Sequence, residues 1–250
     1  MVPARSDRDG PMPEPGARTL AGFALFEGLD EDERGRLEAA CRWRQYGAGD
    51  SILESGGESR DVFFVLQGAA NIVNFSPTLR EVAYATVRTG NYFGELAAID
   101  SEPRSANVIA VEESLVAVMP ADVFVELLQR RADVTFRVLQ HLTQMVRAGD
   151  ARILELSTLA ATQRVYAELL RMAAPEPAVP GLWVIRPLPP LRDVASRVST
   201  TRETAVRALS QLYASGLIRR KGRNLYLMDR ARLAEALKDL QAHGGPRAER

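Results

Sequence analysis

The apolar pattern of this chain changes period at about Pro120, and that change bounds the fold. From Gly47 to Met119 the apolar residues come in short runs, punctuated by Gly47, Gly49, Gly56, Gly57, Gly68 and Gly90. The runs are 51–53, 62–66, 70–73, 82–87, 106–110 and 115–119. Many short strands at regular spacing imply a small barrel or roll, because closure leaves few open edges. Beyond Pro120 the pattern becomes helical. The fold class is therefore α+β, with a jelly-roll-like β part first and helices after it.

The long helix expected from Asp133 to about Leu159 carries a seam. Leu139, Leu142, Val146, Gly149, Ile153, Leu156 and Ala160 are spaced alternately by 3 and 4 residues. A seam of that kind pairs helices, here across a homodimer. A helix lying on its own roll is the other reading. Gly149 is the flaw, costing about 1 kcal/mol against alanine inside a helix.

The remaining segments follow from local signals. Residues 1–18 are rich in Pro, Gly and charge, and read as disordered. An acidic helix start follows at Asp30–Glu33, with Leu37, Ala40 and Cys41 inward. A helix over 158–173 leads into the breaker-rich 174–181, and Trp183–Ile185 reads as a strand. The expected divisions are 1–18 as a disordered segment, 19–132 as the roll domain, and 133–160 as dimerisation helix and hinge. Residues 161–241 form a third domain, and 242–250 a flexible tail.

Composition excludes several classes. No apolar run reaches the roughly 18–20 residues of a membrane span, and the N-terminus has no secretory apolar core. The single cysteine, Cys41, forms no internal disulfide and fits a reducing cytoplasm. One cysteine and two histidines speak against an iron–sulfur cluster, a haem or a His-rich metal site. No nucleophile–base pair or phosphate-binding P-loop marks an enzyme. The formal net charge is zero, yet residues 175–250 hold 14 Lys+Arg against 7 Asp+Glu, a balance of +7. Either the C-terminal part meets a polyanion, or surface charge fluctuates.

Two stretches carry chemistry. In 93–110, Gly94 lets the backbone turn and approach a ligand. Glu95 can accept from a ribose hydroxyl. The amides of Leu96, Ala97 and Ala98 are free donors if a helix starts there. Arg104 can pair with a phosphate, and Ser105 adds a hydroxyl. The alternative is a β-barrel turn with a buried Glu95–Arg104 ion pair and no ligand.

The second stretch is 189–218. Pro190 suits a first helical turn, and Val194, Ala195 and Val198 give a buried face. Val198-Ser199-Thr200 breaks the pattern. Thr200 and Glu203 have capping-box spacing. The next helix buries Ala205, Ala208, Leu209 and Leu212, and Gly216 ends it. Two short helices around a tight turn make a helix-turn-helix, whose second helix can enter a major groove of duplex DNA. Its other face carries Thr201, Arg202, Val206 and Arg207. Arginine suits guanine, a carboxylate such as Glu203 suits cytosine, and threonines suit phosphates. Glu203 can also cap the helix or pair with Arg207. Arg219 to Leu227 reads as a basic hairpin, a wing over the backbone or a solvated hairpin. An amphipathic helix over 230–241 follows.

These residues also carry a resemblance. Phe93-Gly94-Glu95-Leu96-Ala97 with Pro103-Arg104-Ser105-Ala106 resembles the phosphate-binding cassette of cyclic-nucleotide-binding domains. Thr201-Arg202-Glu203-Thr204 with Arg207 resembles the recognition helix of the Crp/Fnr (catabolite activator) regulators. Roll, cassette, long helix and winged helix-turn-helix stand in that family's order over about residues 20–240.

The resemblance implies a homodimeric, cytoplasmic transcription regulator that is not an enzyme. Its effector would be a cyclic nucleotide, cyclic AMP first and cyclic GMP second. Its partners would be a TGTGA-like palindrome in double-stranded DNA and RNA polymerase. Gly94, Glu95, Leu96, Ala97, Arg104 and Ser105 would hold sugar and phosphate. Arg192, Thr201, Arg202, Glu203, Thr204, Arg207, Lys221 and Arg223 would face DNA. Leu139, Leu142, Val146, Ile153 and Leu156 would form the dimer seam. On the long helix, Gly149 and Asp150 stand where cyclic-AMP members tend to place Thr-Ser, and Met145 replaces an arginine. The sugar-phosphate half of the site is thus kept and the base-reading half altered. Two further readings stay open: a vestigial pocket with ligand-independent DNA binding, and a cyclic-nucleotide-binding regulatory subunit of an enzyme.

Overall fold

The computed structural model describes residues 19–75 and 81–243. The segments 1–18 and 244–250, expected above to be disordered and loose, lie outside them. The chain forms two compact units, Met1–Met145 and Val146–Arg250.

The first unit opens with a 3-10 turn, Ala24–Phe26, and helix α1 (Glu31–Ala40). Asp30 caps α1 by accepting from the Glu33 amide at 2.7 Å, and three acidic residues complement the positive end of the helix. The strands are β1 (Arg42–Tyr46), β2 (Ser51–Leu53), β3 (Val62–Gln67), β4 (Ala69–Phe75), β5 (Glu81–Arg88) and β6 (Tyr92–Phe93). Helix α2 (Glu95–Asp100) separates them from β7 (Asn107–Ala110) and β8 (Ser114–Met119), and α3 (Ala121–Arg130) follows. Two antiparallel sheets face each other, ordered β1-β8-β3-β6 and β2-β7-β4-β5.

The composition of β3 and β8 explains the layering. Both are nearly unbroken apolar runs, as strands buried on both faces must be. One face turns Phe63, Val65, Val116 and Val118 into the roll, against Leu53, Ala70, Val87, Phe93 and Val108. The other turns Val62, Phe64, Ala117 and Met119 towards Leu20, Phe23, Phe26, Phe124, Val134 and Val138. Phe64 is fully buried and meets Phe23 edge-on at 5.4 Å. Its loss would cost about 3–5 kcal/mol. Cys41 lies in the same cluster, and burial, with Glu38 nearby, pushes its thiol up to about 12. Gly68 turns β3 into β4 at φ +90°, where a Cβ would stand 2.4 Å from the Ser114 hydroxyl.

Helix α4 (Ala132–Thr158) begins in the first unit and ends in the second. The second unit continues with α5 (Ala161–Met172), β9 (Ala174–Pro175), β10 (Trp183–Ile185), α6 (Leu191–Arg197) and α7 (Arg202–Ala214). A hairpin of β11 (Ile218–Lys221) and β12 (Asn224–Leu227) and helix α8 (Arg230–His243) complete it. The four strands form one antiparallel sheet, β11-β12-β10-β9. The core joins Val165 and Leu169 of α5, Ala195 and Val198 near α6, Ala205, Ala208, Leu209 and Leu212 of α7, and Leu225 and Leu227 of β12.

Two local expectations shift. The cap of α7 is Thr201, not Thr200: its hydroxyl accepts from the Thr204 amide at 3.2 Å. Thr200 is buried, its amide bonded to the Ala195 carbonyl at 2.9 Å. The expected box is thereby displaced by one residue, and Thr204 rather than Glu203 occupies the third helical position. Pro190 stands at the N-cap of α6 rather than inside its first turn. At the other end, α7 closes as expected. Gly216 adopts φ +71°, its amide meets the Tyr213 carbonyl, and the Leu217 amide meets that of Leu212, both at 3.1 Å.

Candidate ligand and DNA sites

The cassette is built around Arg104, which is only 4% exposed. Its backbone is clasped by the loop before β3: the Gly56 amide donates to its carbonyl at 2.8 Å, and its amide to Gly57 O at 3.0 Å. Its guanidinium donates to the Gly94 carbonyl at 2.9 Å, the Asp61 carbonyl at 2.6 Å and the Ser59 hydroxyl at 3.3 Å. It also lies 5.5 Å above the Phe63 ring, which stacks on Phe93. Arg42 pairs with the Asp61 carboxylate, fixing the loop from outside. Ser59, Asp61 and the Gly56–Gly57 pair escaped sequence reasoning. The adjacent glycines were a signal of a tight loop, but not of which side chain it would grip.

Gly94 is the hinge of the cassette. It sits at φ +89°, and a Cβ there would come within 2.9 Å of the Arg104 guanidinium and 3.0 Å of the Asp61 carbonyl. Any side chain would push Arg104 out of its seat. Helix α2 starts at the next residue without a side-chain cap. Its first amides, including those of Leu96 and Ala97, therefore have neither an intrahelical acceptor nor a side-chain cap.

Glu95 is 3% exposed. Burial pushes its carboxyl up from the ordinary range, against its own backbone amide and the charge of Arg104. Burial also lowers the Arg104 guanidinium, against Asp61 and Glu95. Opposite charges are thus held inside one small region of the roll. Ser105 is exposed, and its carbonyl accepts from Asn74 at 3.1 Å.

These residues fit a small phosphorylated sugar. Glu95 offers a desolvated acceptor for a sugar hydroxyl. Arg104 has more N–H donors than its three contacts use. Gly94, Glu95, Leu96, Ala97, Arg104 and Ser105 lie in one cassette. Gly149 and Asp150 belong to the second unit, both exposed on α4.

The candidate DNA face is built oppositely. Thr201, Arg202, Glu203, Val206 and Arg207 are exposed on α7, and Thr204 is half-buried. Its own amide, then Thr201 and Arg202, hold the Glu203 carboxyl below the usual range. Arg192 on α6 is exposed and bonded to Asp193 at 3.1 Å. Lys221 and Arg223 stand exposed on the hairpin, around Gly222.

On α4, Leu139 is 53% exposed, Val146 64%, Ile153 65% and Leu156 43%; Leu142 is half-buried against the first unit. Phe136, 60% exposed, extends that apolar face by one turn and was not read from the sequence. Among the described residues no group of His, Cys, Asp and Glu could hold a metal, and no helix is long and apolar enough to cross a membrane.

Comparison with known proteins places both stretches within known domain families. Residues 43–131 match the cyclic nucleotide-binding domain family, and residues 163–236 the Crp-like helix-turn-helix domain family. The chain is 26% identical over 194 residues to the cAMP-activated global transcriptional regulator Vfr of Pseudomonas aeruginosa, covering 76% of this chain and 91% of that one. It is 24% identical over 217 residues to the CRP-like cAMP-activated global transcriptional regulator of Mycobacterium tuberculosis, covering 86% and 96%. A CooA mutant from Carboxydothermus hydrogenoformans shares the fold, with a TM-score of 0.73, 18% identity, and coverage of 88% and 98%.

Proposed function

Because the chain belongs to the Crp/Fnr family of DNA-binding transcription regulators, we propose that it works as a homodimeric switch set by a cyclic purine nucleotide. One observation carries the reading. Glu95 and Arg104 are held in the roll with their charges desolvated, an arrangement that is costly unless something offsets it. The effector would bring an anionic phosphate for Arg104 and the α2 amides, and sugar hydroxyls for Glu95. Relatives of matching length are named as cAMP-activated, which favours cyclic AMP, with cyclic GMP second.

The rest follows from the family and the exposed faces. The apolar row of Leu139, Val146, Ile153 and Leu156 covers a second copy of the helix. Paired subunits set two α7 helices about 34 Å apart, the spacing of successive major grooves. Arg202, Glu203 and Arg207 read a TGTGA-like half-site. Thr201, Thr204, Arg192, Lys221 and Arg223 hold its backbone. RNA polymerase is the downstream partner, and the cytoplasm the compartment. The nucleotide acts only through its difference in affinity between two arrangements of the dimer.

The deciding experiment follows affinity for a TGTGA palindrome while each cyclic purine nucleotide is titrated. Affinity should rise with one of them. Equal affinity with and without both would mean a vestigial pocket. Sedimentation of Ile153→Asp should give monomers, and an unchanged dimer would move the seam elsewhere.

A further inference from the structure

Ser199 sits at the turn between α6 and α7 with φ +48°, a conformation that glycine adopts freely and other residues adopt at a cost. Its side chain is engaged. Arg152, on the last turns of α4, donates to the Ser199 hydroxyl at 3.2 Å. The turn is gripped a second time through its backbone. Arg164 of α5 donates to the carbonyls of Val198 at 2.9 Å and Ser199 at 3.2 Å, and also to that of Leu159 at 2.9 Å. Leu159 lies in the short break between α4 and α5.

A chain of charges runs alongside. Arg152 contacts Glu155 at 3.4 Å, and Glu155 pairs with Arg171 of α5. Arg171 pairs with Glu168, which is 5% exposed. Glu168 meets Arg197 of α6 at 3.7 Å. The end of α4, the break, α5 and the turn before the recognition helix are thus one bonded block. These contacts span the break at Leu159–Ala160.

We propose that Arg152 and Ser199 are positioning residues for sequence recognition: their bond fastens the turn before α7 to the end of α4, and so fixes how the recognition helix is presented to a base pair. The inference rests on DNA binding by this helix-turn-helix. It does not need the nucleotide, and neither residue stands on the recognition face of α7.

The test uses Ser199→Gly, Arg152→Gln and the double variant in the full chain. Binding is measured on a duplex enriched by the wild-type protein from a random pool, and on a scrambled duplex of the same length. Ser199→Gly relieves the backbone while removing the hydroxyl. Its melting temperature should therefore hold or rise while its ratio of selected to scrambled affinity falls roughly threefold to tenfold, the net worth of one ordinary hydrogen bond. Arg152→Gln should lower the ratio similarly, and the double variant no further than the weaker single one. A Ser199→Gly protein that keeps its discrimination, or losses that add in the double variant, would overturn the proposal.

Each measurement is made with and without saturating cyclic AMP. A wild-type protein indifferent to the nucleotide would sink nucleotide control alone, because the discrimination ratio still decides the role of Arg152 and Ser199.

Discussion

Arg104 and Arg202 are the same residue type in opposite settings. Arg104 is enclosed, its guanidinium bonded to the Gly94 and Asp61 carbonyls and the Ser59 hydroxyl. Arg202 is exposed at the first position of α7, beside the Thr201 cap. The first, in the proposed ligand site, has its charge already out of water, and so would join stability to binding. The second, in the proposed DNA site, keeps its charge in water. Substitutions in the cassette should therefore move folding and binding together. On the recognition face they should move binding alone.

Arg104→Ala is the strongest way to break that contrast. It strips partners from two carbonyls and a hydroxyl, and should cost about 3 kcal/mol of stability as well as nucleotide binding in calorimetry. A melting curve identical to wild type would mean that burial of Arg104 contributes nothing. Arg202→Ala should cost roughly 1–3 kcal/mol at the selected duplex with stability moved by less than about 0.5 kcal/mol. Equal losses on selected and scrambled DNA would recast Arg202 as a phosphate clamp.

Thr201→Ala sharpens the contrast at the edge of the DNA face, where one side chain also serves the fold. It should lower the stability of the second unit by about 1 kcal/mol through the lost cap, followed by hydrogen exchange of the α7 amides. Exchange unchanged there would return the cap to another residue.

Glu95→Gln gives the smallest effect and the most telling sign. Burial raises the Glu95 carboxyl in the folded state, so the folded protein binds its proton more tightly than the unfolded chain. Its contribution to stability is full below the ordinary carboxyl range and is lost as pH rises through the raised value. At neutral pH the glutamine variant should melt slightly higher than wild type, and below the ordinary range the advantage should vanish. A variant less stable at neutral pH would show that Arg104 more than offsets the burial of Glu95.

The two sites were also unequally legible. The recognition helix could be read because its pattern is local: Ala205, Ala208, Leu209 and Leu212 fix one face, and the polar residues fall on the other. The strands from β2 to β5 were legible through their glycines and apolar runs. Strand β1, RWRQY, was not read, because it lies at a sheet edge with charge along it and is held by pairing with β8, far away in sequence. The cassette ligands were readable as a motif. The clasp on Arg104 by Gly56, Gly57, Ser59 and Asp61 was not, since those residues lie more than 40 positions upstream and act largely through backbone atoms. The cap moved from Thr200 to Thr201 because both threonines suit an N-cap; only Thr200 has the box spacing to Glu203, but Thr200 is buried, and the Thr201 hydroxyl takes the Thr204 amide.

Cys41 has a practical consequence. It is the chain's one cysteine, sealed among Leu37, Phe124 and their neighbours, with its thiol pushed up to about 12. The native thiol should resist alkylating reagents, because almost none of it is thiolate and little of it is accessible. Whatever label it takes up over time clocks the transient opening of the β-roll's outer core. One mass-spectrometric trace would therefore read how effectors or substitutions tighten that half of the molecule, with no engineered probe.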